Sequence, residues 1–334
     1  MKWYEKINDE SPIISCRLRL ARNLKKYEFL SKLDIENARN MIKDVTNTIM
    51  EKTDNFEFSD MAEISLLEKL SLVEHHKISL DLLKTKRPSA VISSKDDLIH
   101  VMLNEEDHIR IQSIAAGNNI EEAYKLAEYT DNLIEESIKY AFHENYGYLT
   151  SCPSNAGTGM RASFMLHLPA LDAEKGRMEK LTSSLASIGM TVRGLHGENS
   201  SYEGSIFQVS NQITMGQTEE ELIKKLEKAV EKIVVTEFEE IDRKLGKSKS
   251  VFEDNIYRAY GTLKYSRNID IKEARKLLSI VRLGVVSKII KEEIKTPIYN
   301  IMMNIDFGSL QLNYLDYEEK DLDILRAIYI RENL

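Results

Sequence analysis

Five arginines, Arg17, Arg19, Arg110, Arg161 and Arg193, stand in short segments rich in alternating apolar and polar residues or beside a glycine-rich link, and two glutamates, Glu106 and Glu198, each lie within a few positions of one of them. Arginine stays charged at any physiological pH and its planar fork matches phosphate bidentately, so a convergent set of five specifies a polyphosphate and neutralises charge that moves during phosphoryl transfer. ATP is the natural ligand. A carboxylate fixed beside such a cluster competes for a cation near the phosphates, and a guanidinium group satisfies it. With a pKa above about 12 a guanidine is protonated and a poor nucleophile, so phosphorylating it requires carboxylates that align it and take its proton. Cys152 adds a thiolate that neighbouring positive charge can polarise toward the same acceptor.

These side chains need elements that aim them. Ile13 to Asn23 alternates apolar and cationic residues, the period of a strand, which puts Arg17 and Arg19 on one face; a solvated basic edge strand has the same pattern. Ala90 to Ser93, Leu98 to Leu103 and His108 to Ser113 read as three successive antiparallel strands, with Ser94 to Asp97 as a hairpin turn and Asn104 to Asp107 as an acidic link that is either solvated or a positioned carboxylate beside Arg110. Tyr148 to Leu168 opens like a strand and closes like a helix, making Arg161 a helix-start residue. Between lies Ser151 to Gly159, where Gly157 and Gly159 let the backbone approach a ligand and Pro153 stiffens the entry; an ordinary loop with a buried thiol is the plainer alternative. Thr191 to Glu198 reads as a strand running into a loop, and Ser205 to Ser210 as another strand.

Helices supply the scaffold. Asp34 is an N-cap for a helix with Ile35, Ala38, Ile42, Val45 and Ile49 on its apolar face. Others are expected around residues 64–72, over 120–143, 174–188 and 219–245. Gly246 to Ser250 ends the last of these and sets a domain boundary, giving a 1–246 unit and a 247–334 all-α unit in which Asp270 with Glu273, Thr296 with Pro297, and Leu322, Leu325 and Tyr329 mark helices. The fold class is α+β, an antiparallel sheet flanked by helices with a C-terminal all-α domain.

Bulk properties exclude several classes. A chain of 334 residues with net charge −8 is large enough for two cores and carries no overall basic character for direct nucleic-acid binding. It has no apolar run long enough to span a bilayer and no signal-peptide core, so a cytoplasmic location without membrane attachment is expected. Two cysteines, Cys16 and Cys152, cannot make a disulfide framework. Neither a Gly-x-x-x-x-Gly-Lys loop nor a Gly-x-Gly-x-x-Gly turn is present. The adjacent His75 and His76 lack metal-site spacing, and Asp306-Phe307-Gly308 lacks the other kinase motifs, so neither is assigned a metal.

SCRLRLARN at 15–23, NEEDHIRIQ at 104–112, CPSNAGTGMRAS at 152–163 and RGLHGE at 193–198 closely resemble the ATP:guanido phosphotransferases, the phosphagen kinases, in the family's order. The resemblance implies an antiparallel sheet flanked by helices and an ATP site drawn from Ser15, Cys16, Arg17, Leu18 and Arg19, from Arg110, from Arg161, Ala162, Ser163, Phe164 and Met165, and from Arg193, Gly194, Leu195, His196, Gly197 and Glu198. It places His76 near the base or ribose. Glu106 and Glu198 are implied to hold the guanidinium, Cys152 to fill the reactive-cysteine position, and Mg2+ to be held through the phosphates.

Family members acting on free arginine or creatine carry a helical domain of roughly a hundred residues before the first arginine motif, where this sequence shows 14. With the helical C-terminal unit, that is similar to the bacterial protein arginine kinases (the McsB group), whose open site admits a polypeptide. The expectation is a kinase for exposed arginines of proteins that marks them for a ClpC-ClpP protease or alters regulators, works with an McsA-like activator and forms a homodimer through the C-terminal helices. The group's Arg-Asp-x-x-Arg-Ala phosphoarginine-sensing motif corresponds here to Leu322-Asp323-Ile324-Leu325-Arg326-Ala327, with its first arginine missing. A kinase for a small free guanidine, or a weakly active phosphoarginine or protease adaptor, are the alternatives.

Overall fold

The computed structural model describes residues 2–194, 203–316 and 321–334. From the N-terminus come β1 (Ile13–Arg22), α1 (Ile35–Met50), β2 (Phe56–Asp60), α2 (Leu66–Glu74), α3 (Leu80–Lys84), β3 (Ala90–Ser94), β4 (Ile99–Leu103) and β5 (Ile109–Ala116). There follow α4 (Ile120–Glu135), the two-residue strands β6 (Phe142–His143) and β7 (Gly147–Tyr148), β8 (Met160–His167), α5 (Pro169–Asp172), α6 (Arg177–Ser187), β9 (Met190–Gly194) and β10 (Ile206–Asn211). The remainder is helical: α7 (Glu219–Tyr265), α8 (Ile271–Val286), α9 (Ile298–Asn304), α10 (Phe307–Asn313) and α11 (Leu322–Asn333). Among the described residues no helix is long and apolar enough to cross a membrane.

One eight-stranded sheet organises the chain, in the order β2-β3-β4-β5-β1-β8-β10-β9, with every neighbouring pair antiparallel. Because successive side chains alternate faces, register decides what each face does. Leu18 and Leu20 of β1, Ile109 and Ile111 of β5, Met160, Ala162, Phe164 and Leu166 of β8 and Phe207 and Val209 of β10 all belong to one core with α1, α4 and the first half of α7. The opposite face divides along its length. At one end Ile114, Ala116, Met165 and Ile206 are covered by Ile256, Leu278, Ile298 and Tyr299 of the C-terminal helices; at the other end it is polar and open.

Local signals account for the helix positions. Asp34 accepts the Asn37 backbone N–H at 2.8 Å to start α1, which buries Ala38, Met41, Val45 and Ile49. Each of the larger side chains there removes enough apolar surface to be worth roughly 1.5–3 kcal/mol. Met41 takes the place expected of Ile42, and Ile35 is 65% exposed. Asp270 caps α8 through the N–H groups of Lys272 and Glu273.

Several expectations change. Met160 to His167 is strand, not helix: Met160, Ala162, Phe164 and Leu166 point into the core while Arg161, Ser163 and His167 alternate with them, a period-two pattern interrupted only by Met165, which the C-terminal helices cover on the other face. The helix expected over 120–143 stops at Glu135, and the chain then turns into β6. The helix expected to end at Leu245 runs through Gly246 to Tyr265, bent at Ser248 (φ −158°, ψ 64°).

Candidate active site

The strand register carries the five arginines to one side of the sheet. Arg17 and Arg19 are two apart on β1; Arg19 lies opposite Arg161, and Ala21, two further on, opposite Arg110. Arg193 lies opposite Gln208, which lies opposite Met165, and Met165 opposite Ser15, two before Arg17. All five therefore share the face turned away from the large core, where they line a cavity of about 650 Å³ together with His76, Glu106, Gln112, Cys152 and Gln208. Arg17 Nη2 donates to Gln208 Oε1 at 3.1 Å, and Arg19 Nε is buried without a hydrogen-bond partner. Burial, with Arg110 and Arg161 close by, pulls the Arg17 guanidinium down to about 10. Burial and three neighbouring guanidinium groups push Arg19 down further. A bound polyanion reverses both effects, so the donor set fits a nucleotide's phosphates.

Asn104 to His108 forms a hub in which four of five side chains are consumed by structure. Asn104 takes a left-handed conformation (φ 60°), one that asparagine tolerates, and donates to Ala38 and Pro88 carbonyls at 3.2 and 2.9 Å. Glu105 Oε1 pairs with Arg110 Nη1 at 2.5 Å, and its Oε2 accepts the Glu106 N–H at 2.7 Å. Asp107 Oδ1 accepts from Asn23 Nδ2 and from the Ser151 N–H, both at 2.6 Å. His108 accepts the Leu24 N–H at Nδ1 and contacts the Glu28 carbonyl through Nε2. Glu106 alone is exposed, accepting from Arg110 Nη2 at 3.0 Å and from Asn155 Nδ2 at 3.4 Å. Burial against neighbours raises its carboxyl, Arg110 opposes this, and Asp107, Glu105 and Asp81 add to it. An exposed carboxylate of raised pKa at the edge of an arginine cluster is suited to accept a proton from a cation.

The Ser151 to Gly159 link brings Cys152 to the cavity, its Sγ 3.0 Å from Ser154 Oγ. Its glycines serve chain packing. A side chain on Gly157 (φ 103°) would meet the Thr214 carbonyl at 2.3 Å, and one on Gly159 (φ 64°) would meet the Ala21 carbonyl and Arg22 Nη1, both at 2.6 Å. Besides Asp107 at Ser151, Thr214 holds the link by donating to the Ser154 and Ala156 carbonyls at 3.1 and 2.6 Å, and so does Arg22, buried on the core side, with Nη2 2.7 Å from Asp131 Oδ2, Nη1 donating to the Thr158 carbonyl at 2.9 Å, and its guanidinium 3.5 Å from the centre of the Tyr148 ring.

The remaining expected residues separate by face. The side chains of Cys16, Leu18, Ala162 and Phe164 are in the core, on the far side of the sheet from the arginines, and burial pushes the Cys16 thiol up to about 12. Ser15, Ser163 and Met165 are on the arginine side but buried; Ser163 Oγ donates to the Arg17 carbonyl at 3.3 Å, and Met165 Sδ accepts from Tyr299 Oη at 2.8 Å. Gly194 ends β9 opposite Phe207. Leu195, His196, Gly197 and Glu198 lie outside the described residues. His76 (φ 59°) is at the cavity wall, its Nε2 2.9 Å from Tyr299 Oη, whereas His75 stacks on Tyr4 and turns toward Asn304. The two imidazoles do not converge, and no group of three or more metal-type side chains occurs among the described residues. Asp306 is paired bidentately with Arg275 at 2.6 and 2.7 Å, a structural task. Arg326 is buried on the Ile269 and Ile305 carbonyls and on Asp323.

Gln112, Gln208, Glu105, Asp81 and Lys84 escaped the sequence reading. Counting by twos from Arg110 leads to Gln112, and the alternation of SIFQVS points Gln208 away from Phe207; no comparable signal exists for α3.

The family model described as ATP:guanido phosphotransferase, C-terminal catalytic domain, matches residues 37–240, and that of the protein-arginine kinase McsB C-terminal domain matches 249–334. A protein-arginine kinase of Clostridium acetobutylicum is 41% identical over 332 residues, covering 98% of this chain and 97% of that one. One of Bacillus cereus is 40% identical over 333 residues, covering 98% and 93%. Among solved structures, lombricine kinase superposes with TM-score 0.62 at 19% identity, covering 75% of this chain and 71% of that one. A duplicated taurocyamine kinase from Schistosoma mansoni with bound transition state analog components gives 0.62 at 21% identity, over 79% of this chain and 38% of that one. These two likenesses concern the fold.

Proposed function

The chain belongs to the ATP:guanido phosphotransferase family, and from that premise we propose that it moves the γ-phosphate of ATP onto arginine side chains of proteins. The observation that carries this reading is the meeting, in one cavity, of five arginines with an exposed carboxylate, Glu106, and a thiol, Cys152. Relatives named protein-arginine kinase that align along nearly the whole chain support a protein as the acceptor.

In this mechanism Arg17, Arg19, Arg110, Arg161 and Arg193 fix the triphosphate and take up charge as the γ-phosphoryl group leaves. Glu106 orients the acceptor guanidinium and removes a proton from its terminal nitrogen, whose lone pair then forms the P–N bond as the bond to the ADP oxygen breaks. Cys152, together with Glu198, holds the other edges of the guanidinium. Mg2+, held through phosphate oxygens, supplies further charge neutralisation when bound. His76 borders the nucleoside end.

The reading extends to partners: phosphorylated proteins pass to a ClpC-ClpP-type protease, an McsA-like activator regulates the kinase, and the C-terminal helices pair two copies as a homodimer. The 1–246 and 247–334 portions act as catalytic and regulatory domains. Incubation with ATP and either a protein mixture or free arginine, followed by measurement of acid-labile phosphate, tests the core claim. Label in protein is expected; label on free arginine alone overturns it.

A further inference from the structure

Glu106 stands where two cavities meet. One contains the arginines; the other, also about 650 Å³, is walled by the segment around Phe29, by α3 and by Thr150 and Ser151. Asp81, Lys84 and Glu106 belong to both walls. We propose that the second cavity seats the polypeptide around the target arginine, and that Asp81 is a specificity-determining residue favouring a basic residue next to that arginine. This rests on the reading of protein arginine as the acceptor.

Reach is the first argument. A guanidinium held at Glu106 is only about 6 Å from its own α-carbon along an extended side chain. With roughly 3 Å more for the hydrogen-bonded contact, the acceptor backbone must run within about 10 Å of Glu106, and the second cavity begins there. Its walls are suited to a polypeptide: half-buried Phe29 and Thr150 offer apolar and hydroxyl surface beside charged side chains.

Charge is the second argument. Asp81 is exposed in the first turn of α3, and its side chain makes no hydrogen bond or ion pair among the described residues. It is close enough to Glu106 for its charge to be felt there. Glu105, by contrast, is neutralised by Arg110. Lys84, three positions further along the same helix, is exposed too and supplies the opposing sign. A cation beside the target arginine gains from Asp81, and an anion gains from Lys84. Asp81 has the advantage because, with Glu106 paired to the target guanidinium and Glu105 to Arg110, it is the carboxylate of the shared wall left to pair with a neighbouring cation.

The experiment compares kcat/KM for three peptides that differ only in having Lys, Ala or Glu next to one arginine, using the full chain and the variants Asp81→Lys and Lys84→Glu, each checked for an unchanged melting temperature. The unmodified protein is expected to favour the Lys peptide over the Glu peptide roughly five- to tenfold at low salt. Asp81→Lys should abolish or invert that ratio, and Lys84→Glu should enlarge it. Equal rates for the three peptides, or a ratio that neither variant moves, overturns the subsite. Phosphorylation of free arginine with no peptide labelled at all overturns instead the protein-kinase reading on which it rests.

Discussion

Replacing Glu106 by glutamine tests the division of labour at the cavity, because it keeps the side chain's shape while removing its charge and its capacity to take a proton. On the nucleotide side the loss is small. The Glu106 side chain is 41% exposed and shares Arg110 with Glu105, whose side chain is fully buried and stays in place at 2.5 Å. An exposed ion pair is worth about 0–1 kcal/mol. Since Glu106 also competes with phosphate for Arg110, its removal leaves the ATP dissociation constant within about fivefold of the unmodified value, or lowers it. On the acceptor side the loss is large: a positioned general base contributes about 10²–10⁴-fold, or about 3–5 kcal/mol of barrier. Calorimetric ATP titration and initial rates of acid-labile phosphate formation separate the two. The pH profile adds a second reading. Burial raises the Glu106 carboxyl above the ordinary carboxylate range, and only the ionised form accepts a proton. Activity of the unmodified protein therefore falls as pH drops through that raised value, and this acid limb disappears in Glu106→Gln. A variant that retains turnover within tenfold, or that loses ATP affinity by more than tenfold, refutes the assignment.

Arg19→Ala removes a charged donor aimed at phosphate, worth about 1.5–3 kcal/mol, so ATP affinity should fall about 10–100-fold in the same titration, with the melting temperature unchanged or higher because crowded like charge is relieved. Arg22→Met leaves Asp131 buried without its partner and should cost about 3–5 kcal/mol in urea unfolding; a loss under 1 kcal/mol would show that the clamp on the Cys152 link is dispensable. Burial pushes the His100 imidazole down to about 4, with Asp97 opposing, against about 6.5 in the unfolded chain. Its contribution is complete above the unfolded value and is lost as pH falls toward the folded one, about 2 kcal/mol by pH 5, so His100→Gln should flatten the acid slope of unfolding free energy by that amount.

The chemistry was legible in the sequence because it depends on residue types that have few cheaper uses. An arginine or glutamate near a strand end invites explanation, and period-two spacing already placed Arg17 with Arg19. Elements were less legible where burial is two-sided. Met160 to His167 is covered on both faces, so the apolar Met165 interrupts an alternation otherwise plain from Met160 to Phe164, and its arginine was assigned to a helix start. The same blindness to faces put Cys16, Leu18, Ala162 and Phe164 beside the nucleotide, although a strand carrying Arg17 toward a ligand necessarily turns Cys16 and Leu18 away. Gly157 and Gly159 misled differently. A close approach to a ligand was expected of them, but the atoms their backbones approach are those of Thr214, Ala21 and Arg22, which no local pattern reveals.

Those misreadings share a cause that also explains how the site is built. Residues around the cavity act through partners distant in sequence: Glu106 stays exposed while Glu105 and Asp107 beside it are buried on Arg110, Asn23 and Ser151. The Cys152 link is placed by Asp107 at Ser151, by Thr214 at Ser154 and Ala156, and by Arg22 at Thr158 from the opposite side of the sheet. The His76 side of the cavity depends on the C-terminal helices, since Tyr299 of α9 joins His76 to Met165, and Glu74 at the end of α2 accepts the Gly308 and Ser309 N–H groups at 2.8 and 2.7 Å. Helices following the kink at Ser248 thus back the cavity wall at His76 without lining the cavity themselves, and a change in their packing has a direct route to His76 through Tyr299. The arginine face is a property of one strand register; the selective display of Glu106 and Cys152 on its rim is a property of the whole chain.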